Sequence, residues 1–392
     1  MSGHSADEIR ARARRVLPGG ITRSTLYVPP HPPYAARGEG CIVTDVTGHQ
    51  VIDANNNYTS LLHGHAHPRI TAAATAAARR GASIGLPTES EVRMAEELRA
   101  RTGIERWRFC NSGSEAVMMA LRGARRATGR ETIVRFEGSY HGTYDDVVDT
   151  SAGIRRTLAD TVIVLPQRDP AAFSDAMDGH GDEVAAVLID LMPNRAGLIG
   201  ADPSFVELVR ERTRHHGALM IVDEVITFRL AHGGLTSRYG VSPDLMTLGK
   251  VIGGGFPVGA VGGTEAALEA FSPGSHRGIS WGGTFSANPV SMDAGLVALS
   301  MFDRPAIDEL NAAGDSLRQT IANRGIAVNG SGSLLRLLLD DPAEDWWHLY
   351  RNGLLVGTNG LLALSTAMVD DVLARIPELI GGALAPGSAC EL

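Results

Sequence analysis

Asp244-Leu245-Met246-Thr247-Leu248-Gly249-Lys250-Val251-Ile252-Gly253-Gly254-Gly255 carries an apolar strand pattern that ends in a lysine and then in a run of glycines. A lysine at the end of a buried strand is costly unless its amine is neutral or covalently engaged. Twenty-seven residues upstream of Lys250, a second apolar strand, Ala218-Leu219-Met220-Ile221-Val222, closes on Asp223-Glu224. Two strands of one sheet thus deliver an amine and a carboxylate. That pair suits pyridoxal phosphate: Lys250 forms the Schiff base, and Asp223 holds the pyridinium nitrogen protonated. Each residue also has a plainer reading, since Asp-Glu at a strand end often caps the next element and a lysine among glycines often faces solvent. Lys250 does not fit a nucleotide P-loop, because Val251 stands where Ser or Thr is required.

Outward from these strands, residues 105–262 alternate short apolar segments with helical ones. Segments 107–110, 132–136, 162–165 and 184–189 join 218–222 and 245–248 as near-continuous apolar strands. Such strands separated by helices predict an α/β fold with a mostly parallel sheet covered on both faces. One helix is well punctuated: Asp202 caps it, Pro203 fits its first turn, and Gly217 follows its end. The domain reading is an arm and part of a small domain in 1–45, a large domain in 46–295, and the remainder of a small α+β domain in 296–392.

Composition excludes several classes. At 44% hydrophobic and 20% charged residues, the 392-residue chain reads as globular, and too long for one simple core. A net charge of −8 gives no reason to expect nucleic acid or an anionic membrane as partner. Cys41, Cys110 and Cys390 are too few and scattered for a disulfide framework or metal cluster, which points to a reducing cytoplasm. No apolar secretory core opens the chain, and no apolar run approaches the ~20 residues that span a bilayer. His63-Gly64-His65-Ala66-His67 invites a metal reading, but no carboxylate or cysteine cluster accompanies it and Pro68 follows at once. Structural imidazoles in a tight turn are the expectation there, and no metal.

A cofactor phosphate needs backbone donors. Asn111-Ser112-Gly113-Ser114-Glu115 supplies them where a strand turns into a helix, with Gly113 allowing close approach and Ser112 and Ser114 adding hydroxyls. The same residues can simply cap a helix. Phe136-Glu137-Gly138-Ser139-Tyr140-His141-Gly142 follows another strand. Tyr140 is read as stacking on the pyridine ring with His141 hydrogen-bonded beneath it, and Val225 as the apolar contact on the opposite face. Gly282-Gly283-Thr284-Phe285 is a polar, glycine-rich loop whose Thr284, brought from a neighbouring subunit, could complete the phosphate site.

Taken in order, these motifs resemble the class III (ornithine-type) aminotransferases of PLP fold type I, in the glutamate-1-semialdehyde aminomutase branch. The resemblance runs from Leu17-Pro18-Gly19-Gly20 through Gly64-His65-Ala66-His67-Pro68 and the segments above to Gly283-Thr284. It implies a large domain built on a seven-stranded, mostly parallel sheet, with a small α+β domain. It implies Lys250 as Schiff-base lysine, Asp223 at the ring nitrogen, Tyr140 on the ring, Ser112, Gly113 and Ser114 at the phosphate, and Thr284 from the second subunit of a homodimer. Asp190, in Leu188-Ile189-Asp190-Leu191, stands where the family usually has Glu followed by Pro. Motifs around Gly19-Gly20-Ile21-Thr22-Arg23-Ser24 look closest to β-amino acid aminotransferases, in which the arginine matching Arg23 binds a substrate carboxylate. Their second arginine, which handles the keto acid, falls here on Asn359, while Arg336 sits where the family has no basic residue. Either Arg336 holds the acceptor, or Arg23 serves both substrates, or the acceptor lacks an α-carboxylate; the plainer reading of Arg336 is an ordinary strand residue.

The implied function is transfer of an amino group from a β- or more distal amino acid to a keto acid through an internal aldimine and pyridoxamine phosphate. An aminomutase of the glutamate-1-semialdehyde type could use the same residues. A catalytically silent binding or regulatory subunit is the remaining alternative, and retention of Lys250 argues against it.

Overall fold

The computed structural model describes residues 5–149, 152–155, 160–274 and 278–384, so Cys390 and residues 1–4 lie outside it. The chain divides into two compact units, Arg69–Asp308 and Met1–Pro68 with Glu309–Leu392.

The unit Arg69–Asp308 is built on a seven-stranded sheet. Its order is Arg106–Cys110, Gly259–Gly263, Leu245–Gly249, Leu219–Asp223, Val184–Ile189, Thr132–Phe136, Val162–Leu165. Gly259–Gly263 is antiparallel to both its neighbours, and every other adjacent pair is parallel. The mostly parallel seven-stranded sheet expected from the sequence is therefore the one observed. Val184–Ile189 and Leu245–Gly249 are buried at every position, which is why they read as continuous apolar runs rather than alternating ones. Helix Gly113–Thr128 packs on the strands Gly259–Gly263 and Leu245–Gly249, and helix Pro203–His216 on Leu219–Asp223. The latter is capped as read: Asp202 accepts from the Ser204 amide at 2.9 Å, and Gly217 ends it in the left-handed region at φ 66°.

The strand that the sequence did not announce is Gly-Ala-Val-Gly-Gly, residues 259–263. Glycine is a poor strand former, and here close approach requires it. A Cβ at Gly259 would meet the Ser112 carbonyl oxygen at 2.0 Å, and one at Gly262 the Trp107 ring at 2.5 Å.

The second unit holds two small sheets. One orders Ala35–Glu39, Ile42–Asp45, Gln50–Asp53 and Leu354–Leu355; the other Val328–Ser331, Leu334–Leu337 and Leu361–Ala363. Asp53 pairs with Leu355, and the Asn56 side-chain Nδ2 donates to the Ala363 carbonyl at 2.5 Å. These bonds tie residues 46–68 to the C-terminal segment, so the unit boundaries fall after Pro68 and Asp308, beyond the 45 and 295 read from the sequence. His65 Nε2 bonds Asp53 Oδ2 at 2.7 Å and His63 Nδ1 bonds Thr366 Oγ1 at 2.8 Å, and no His/Cys/Asp/Glu group among the described residues is arranged to hold a metal. Nor is any helix among them long and apolar enough to cross a membrane.

Candidate active site

Parallel strands share one direction, so their carboxyl ends form a rim where ligands characteristically bind in open α/β sheets. Asp223 and Thr247 are register partners on adjacent strands, and Lys250 follows three residues beyond Thr247. Lys250 opens the turn Lys250–Gly253 with φ 50°, a left-handed conformation that costs a non-glycine residue roughly 1–3 kcal/mol. Helix Pro289–Ser300 packs on this turn and enforces it. The glycine run admits that helix: a Cβ at Gly254 would meet the Ala294 carbonyl oxygen at 2.6 Å.

Asp223 is 5% exposed and its carboxylate is fully engaged. Oδ2 bonds His141 Nδ1 at 2.7 Å, while Oδ1 accepts from the Val225 amide and from Thr247 Oγ1, both at 3.0 Å. Burial pushes its pKa up, but the hydrogen bond and charge of His141, the Val225 amide and the charge of Lys250 outweigh burial and hold it below the ordinary value. Asp223 is a stable anion. Glu224 next to it is buried, accepting from Thr227 Oγ1 and the Thr236 amide, each at 2.6 Å. It does the capping work that the plainer reading assigned to the pair.

Asp190 ends the neighbouring strand and behaves oppositely. Burial, then the negative charge of Asp223, pushes its pKa up to about 7, against the charge of His141 and the Met192 amide. Two carboxyl groups at one strand rim are thus shifted in opposite directions by their surroundings.

The helix Gly113–Thr128 begins beside them. Ser112 Oγ accepts from the Glu115 amide at 3.2 Å, so that hydroxyl caps the helix, and Glu115 accepts from the Asn111 amide at 2.6 Å. Three site segments meet this N-terminus closely. A Cβ on Gly113 would lie 2.9 Å from Val225, one on Gly142 would lie 2.4 Å from Ser114 Oγ, and one on Gly249 would lie 3.5 Å from the Gly113 nitrogen. The strand Gly259–Gly263 sets the spacing, because Gly259 pairs with both Cys110 and Gly249. Thr284 is exposed, its carbonyl accepting from Ser83 Oγ at 3.3 Å.

The structure gives Tyr140 and His141 partners that the sequence did not name. His141 turns its Nδ1 to Asp223, because a buried carboxylate needs donors. Tyr140 is 37% exposed, and the guanidinium carbon of Arg195 sits 4.1 Å from its ring centroid. Arg195 was invisible in the sequence: one arginine in a loop has no pattern to separate it from a solvated one. The role of Thr247 was missed too, since it appears only once strand register is known.

The fit to a phosphorylated pyridine is testable on these residues. The helix N-terminus has amides that no capping side chain can satisfy in full, cradled by glycines at 113, 142 and 249. His141 Nε2 is buried without a hydrogen-bond partner, as befits a site that a ligand completes. Asp223 is held as the anion that a pyridinium nitrogen requires. The residues fit.

In the unit Met1–Pro68 with Glu309–Leu392, Arg23 Nη1 donates to Asn57 Oδ1 at 2.6 Å, with its guanidinium 5.5 Å from the Tyr58 ring centroid. Asn56, Asn57, Tyr58 and Thr59 all have left-handed φ, from 49° to 76°. Asp53 Oδ1 holds this turn through the Asn55 and Asn56 amides, and Tyr58 OH donates to the Thr25 carbonyl at 2.5 Å. Such strain gathers at functional positions. Arg336 is half-buried on Leu334–Leu337, opposite Asn329 and Leu361, and burial lowers its pKa. Asn359 carries no charge, and its Oδ1 is buried without a partner.

A cleft of about 640 Å³ lies elsewhere, lined by Arg122, Arg125, Arg126, Arg130 and Tyr144 among others. Its cations are largely spent: Arg125 pairs with Asp146, and Arg130 donates to the carbonyls of Gly181, Val184 and His216.

Residues 27–360 match the family model for aminotransferase class-III. A glutamate-1-semialdehyde 2,1-aminomutase of Methanothermobacter thermautotrophicus is 39% identical over 80% of this chain and 77% of its own. Among solved structures, a transaminase with PLP bound superposes with a TM-score of 0.94 at 34% identity, covering 97% of this chain and 98% of the other. A β-phenylalanine aminotransferase from Variovorax paradoxus gives 0.89 at 33% identity, covering 96% and 93%.

Proposed function

The chain belongs to the class-III aminotransferase family and is a PLP-dependent aminotransferase, and from that premise we propose that its amino donor is a β- or more distal amino acid and its acceptor a keto acid. The observation that carries the reading is the pairing of anionic Asp223 with Lys250 at the ends of neighbouring strands, beside a glycine-cradled helix N-terminus. The likeness to the β-phenylalanine aminotransferase and the hydrogen bond of Arg23 to Asn57 of a strained turn support the donor class.

Pyridoxal 5′-phosphate, when bound, supplies an aldehyde to take up amines and an electron-withdrawing ring. In this reading the amides of Gly113 and Ser114, with the Ser114 hydroxyl, hold the phosphate, and Ser112 shapes their turn. Asp223 keeps a proton on the ring nitrogen, and His141, Val225 and Thr247 keep Asp223 ionised and aimed. Lys250 Nζ anchors the aldehyde at rest and then serves as the base that takes the proton from the amine-bearing carbon of the substrate. Tyr140 and Val225 supply the ring contacts, and Asp190 is a further polar group near Asp223. Arg23 holds the carboxylate of the donor.

Thr284 reaching the phosphate of a second copy makes the active form a homodimer. Leu86 at 73% exposure and Phe285 at 60%, beside the Ser83–Thr284 hydrogen bond, are the apolar surface that such a partner covers. Sedimentation at assay concentration should find a dimer, and a fully active monomer would refute this part.

The aminomutase relative favours a second reading, in which both amino positions lie in one molecule. The discriminating experiment offers the holoenzyme a β-amino acid such as β-phenylalanine with 2-oxoglutarate, and separately glutamate-1-semialdehyde alone. Formation of glutamate and the β-keto acid supports the aminotransferase. Isomerisation of the semialdehyde, with no transfer to any keto acid, would replace it by the mutase.

A further inference from the structure

Transamination handles two carboxylate substrates in turn, yet Asn359, which stands where the resemblance puts the acceptor's arginine, offers no charge. Arg195 is a cation in the same unit as Lys250 and Asp223, and nothing so far gives it work. It follows Asp190 by five residues on a loop whose stem, Leu191 to Asn194, is buried. That stem is fixed by the Met192 amide on Asp190 at 2.9 Å and closed by the Leu198 amide on the Pro193 carbonyl at 2.9 Å. The loop also packs on the segment carrying Tyr140, since a Cβ at Gly138 would lie 3.4 Å from Ala196 Cβ. Arg195 is therefore an exposed cation on a rigid mount, its guanidinium against the Tyr140 ring, one residue from His141.

Its charge is not consumed by the acids of the rim. Asp223 is satisfied by His141, Thr247 and Val225, and Glu224 by Thr227 and Thr236. Among the described residues Arg195 forms no ion pair. A guanidinium resting on an aromatic face keeps its edge donors available, and those donors form a fork that matches a carboxylate. We propose that Arg195, seated on Tyr140, is the specificity residue that binds the α-carboxylate of the amino acceptor, in place of the arginine that Asn359 lacks. Arg336, half-buried on its strand, is then an ordinary structural residue. The inference rests on the aminotransferase reading above.

The test follows the two half-reactions separately by absorbance in the holoenzyme. The pyridoxamine form is mixed with pyruvate, which has an α-carboxylate, or with propanal, which has none. Arg195→Met should weaken pyruvate roughly 10- to 100-fold, the worth of a charge-assisted contact, and should penalise propanal at least about 5-fold less. Arg195→Lys should fall between wild type and Arg195→Met, because it keeps the charge and loses the fork. Equal losses for both acceptors, no loss for either, or a pyruvate-specific loss in Arg336→Met but not Arg195→Met would each overturn the proposal. A wild-type protein that transaminates no keto acid would instead sink the underlying reading. Calorimetric titration with glutarate, an unreactive dicarboxylate, then decides the clamp alone: binding lost in Arg195→Met supports it, and unaltered binding overturns it.

Discussion

The strand rim of Arg69–Asp308 and the Arg23 turn of the other unit both position polar groups, but by different physics. At the rim, backbone register does the placing: Asp223 faces Thr247 because their strands pair there, and Gly259 separates Cys110 from Gly249 by the fixed width of a sheet. At the turn that Arg23 contacts, four consecutive left-handed residues, Asn56 to Thr59, are held by side-chain bonds from Asp53 and Asn55. A sheet tolerates change around it, whereas a strained turn depends on each of its few bonds. The rim should therefore carry chemistry whose loss is catastrophic, and the turn should carry recognition whose loss is graded.

The largest expected effect is at the rim. Lys250→Ala should lower multiple turnover by ~10⁴-fold or more, because the anchor and the proton carrier leave together. A coupled assay for keto-acid release checks this, and near-normal turnover would break the comparison at its strongest point. Next, Asp223→Asn removes the anion and should cost ~10²- to 10³-fold in kcat/KM. Retention of more than a tenth of the rate would mean that another group holds the ring nitrogen.

The turn comes third. Arg23→Ala should raise KM for a β-amino acid by roughly 10- to 100-fold with a smaller change in kcat, as expected when a carboxylate contact is removed. A collapse of kcat with KM unaltered would erase the distinction between the two regions.

The smallest effect concerns Asp190 and appears in stability. Its folded pKa of about 7 lies above the ordinary carboxylate value, so the folded state binds the extra proton. Stability from this group is then present at low pH and lost as pH rises from about 4 to about 7. Asp190→Asn should raise the Tm of cofactor-stripped protein at pH 8 and leave it little altered at pH 4. Destabilisation by the same substitution at pH 8 would show that the surroundings support the ionised carboxylate rather than penalise it.

The same contrast explains what the sequence made legible. Strands such as Val184–Ile189 are buried on both faces and announce themselves as apolar runs, and the residues ending them, Asp190, Asp223 and Lys250, stand out because charge is anomalous there. Gly259–Gly263 hid because its residues were chosen for close approach rather than for strand propensity. His141 was noticed but its partner was not, since sequence does not say which buried acid will claim an imidazole. Arg195 and Thr247 were missed because a cation on a loop and a threonine in a strand meet Tyr140 and Asp223 only through the fold.

The central claim is that Lys250 carries the cofactor at the end of its strand. Reducing the holoenzyme with borohydride makes that attachment permanent, and peptide mass mapping then locates it. The account predicts a phosphopyridoxyl adduct on the peptide containing Lys250 and nowhere else in stoichiometric yield. An adduct on another residue, or a cofactor-saturated protein that acquires none, would contradict it.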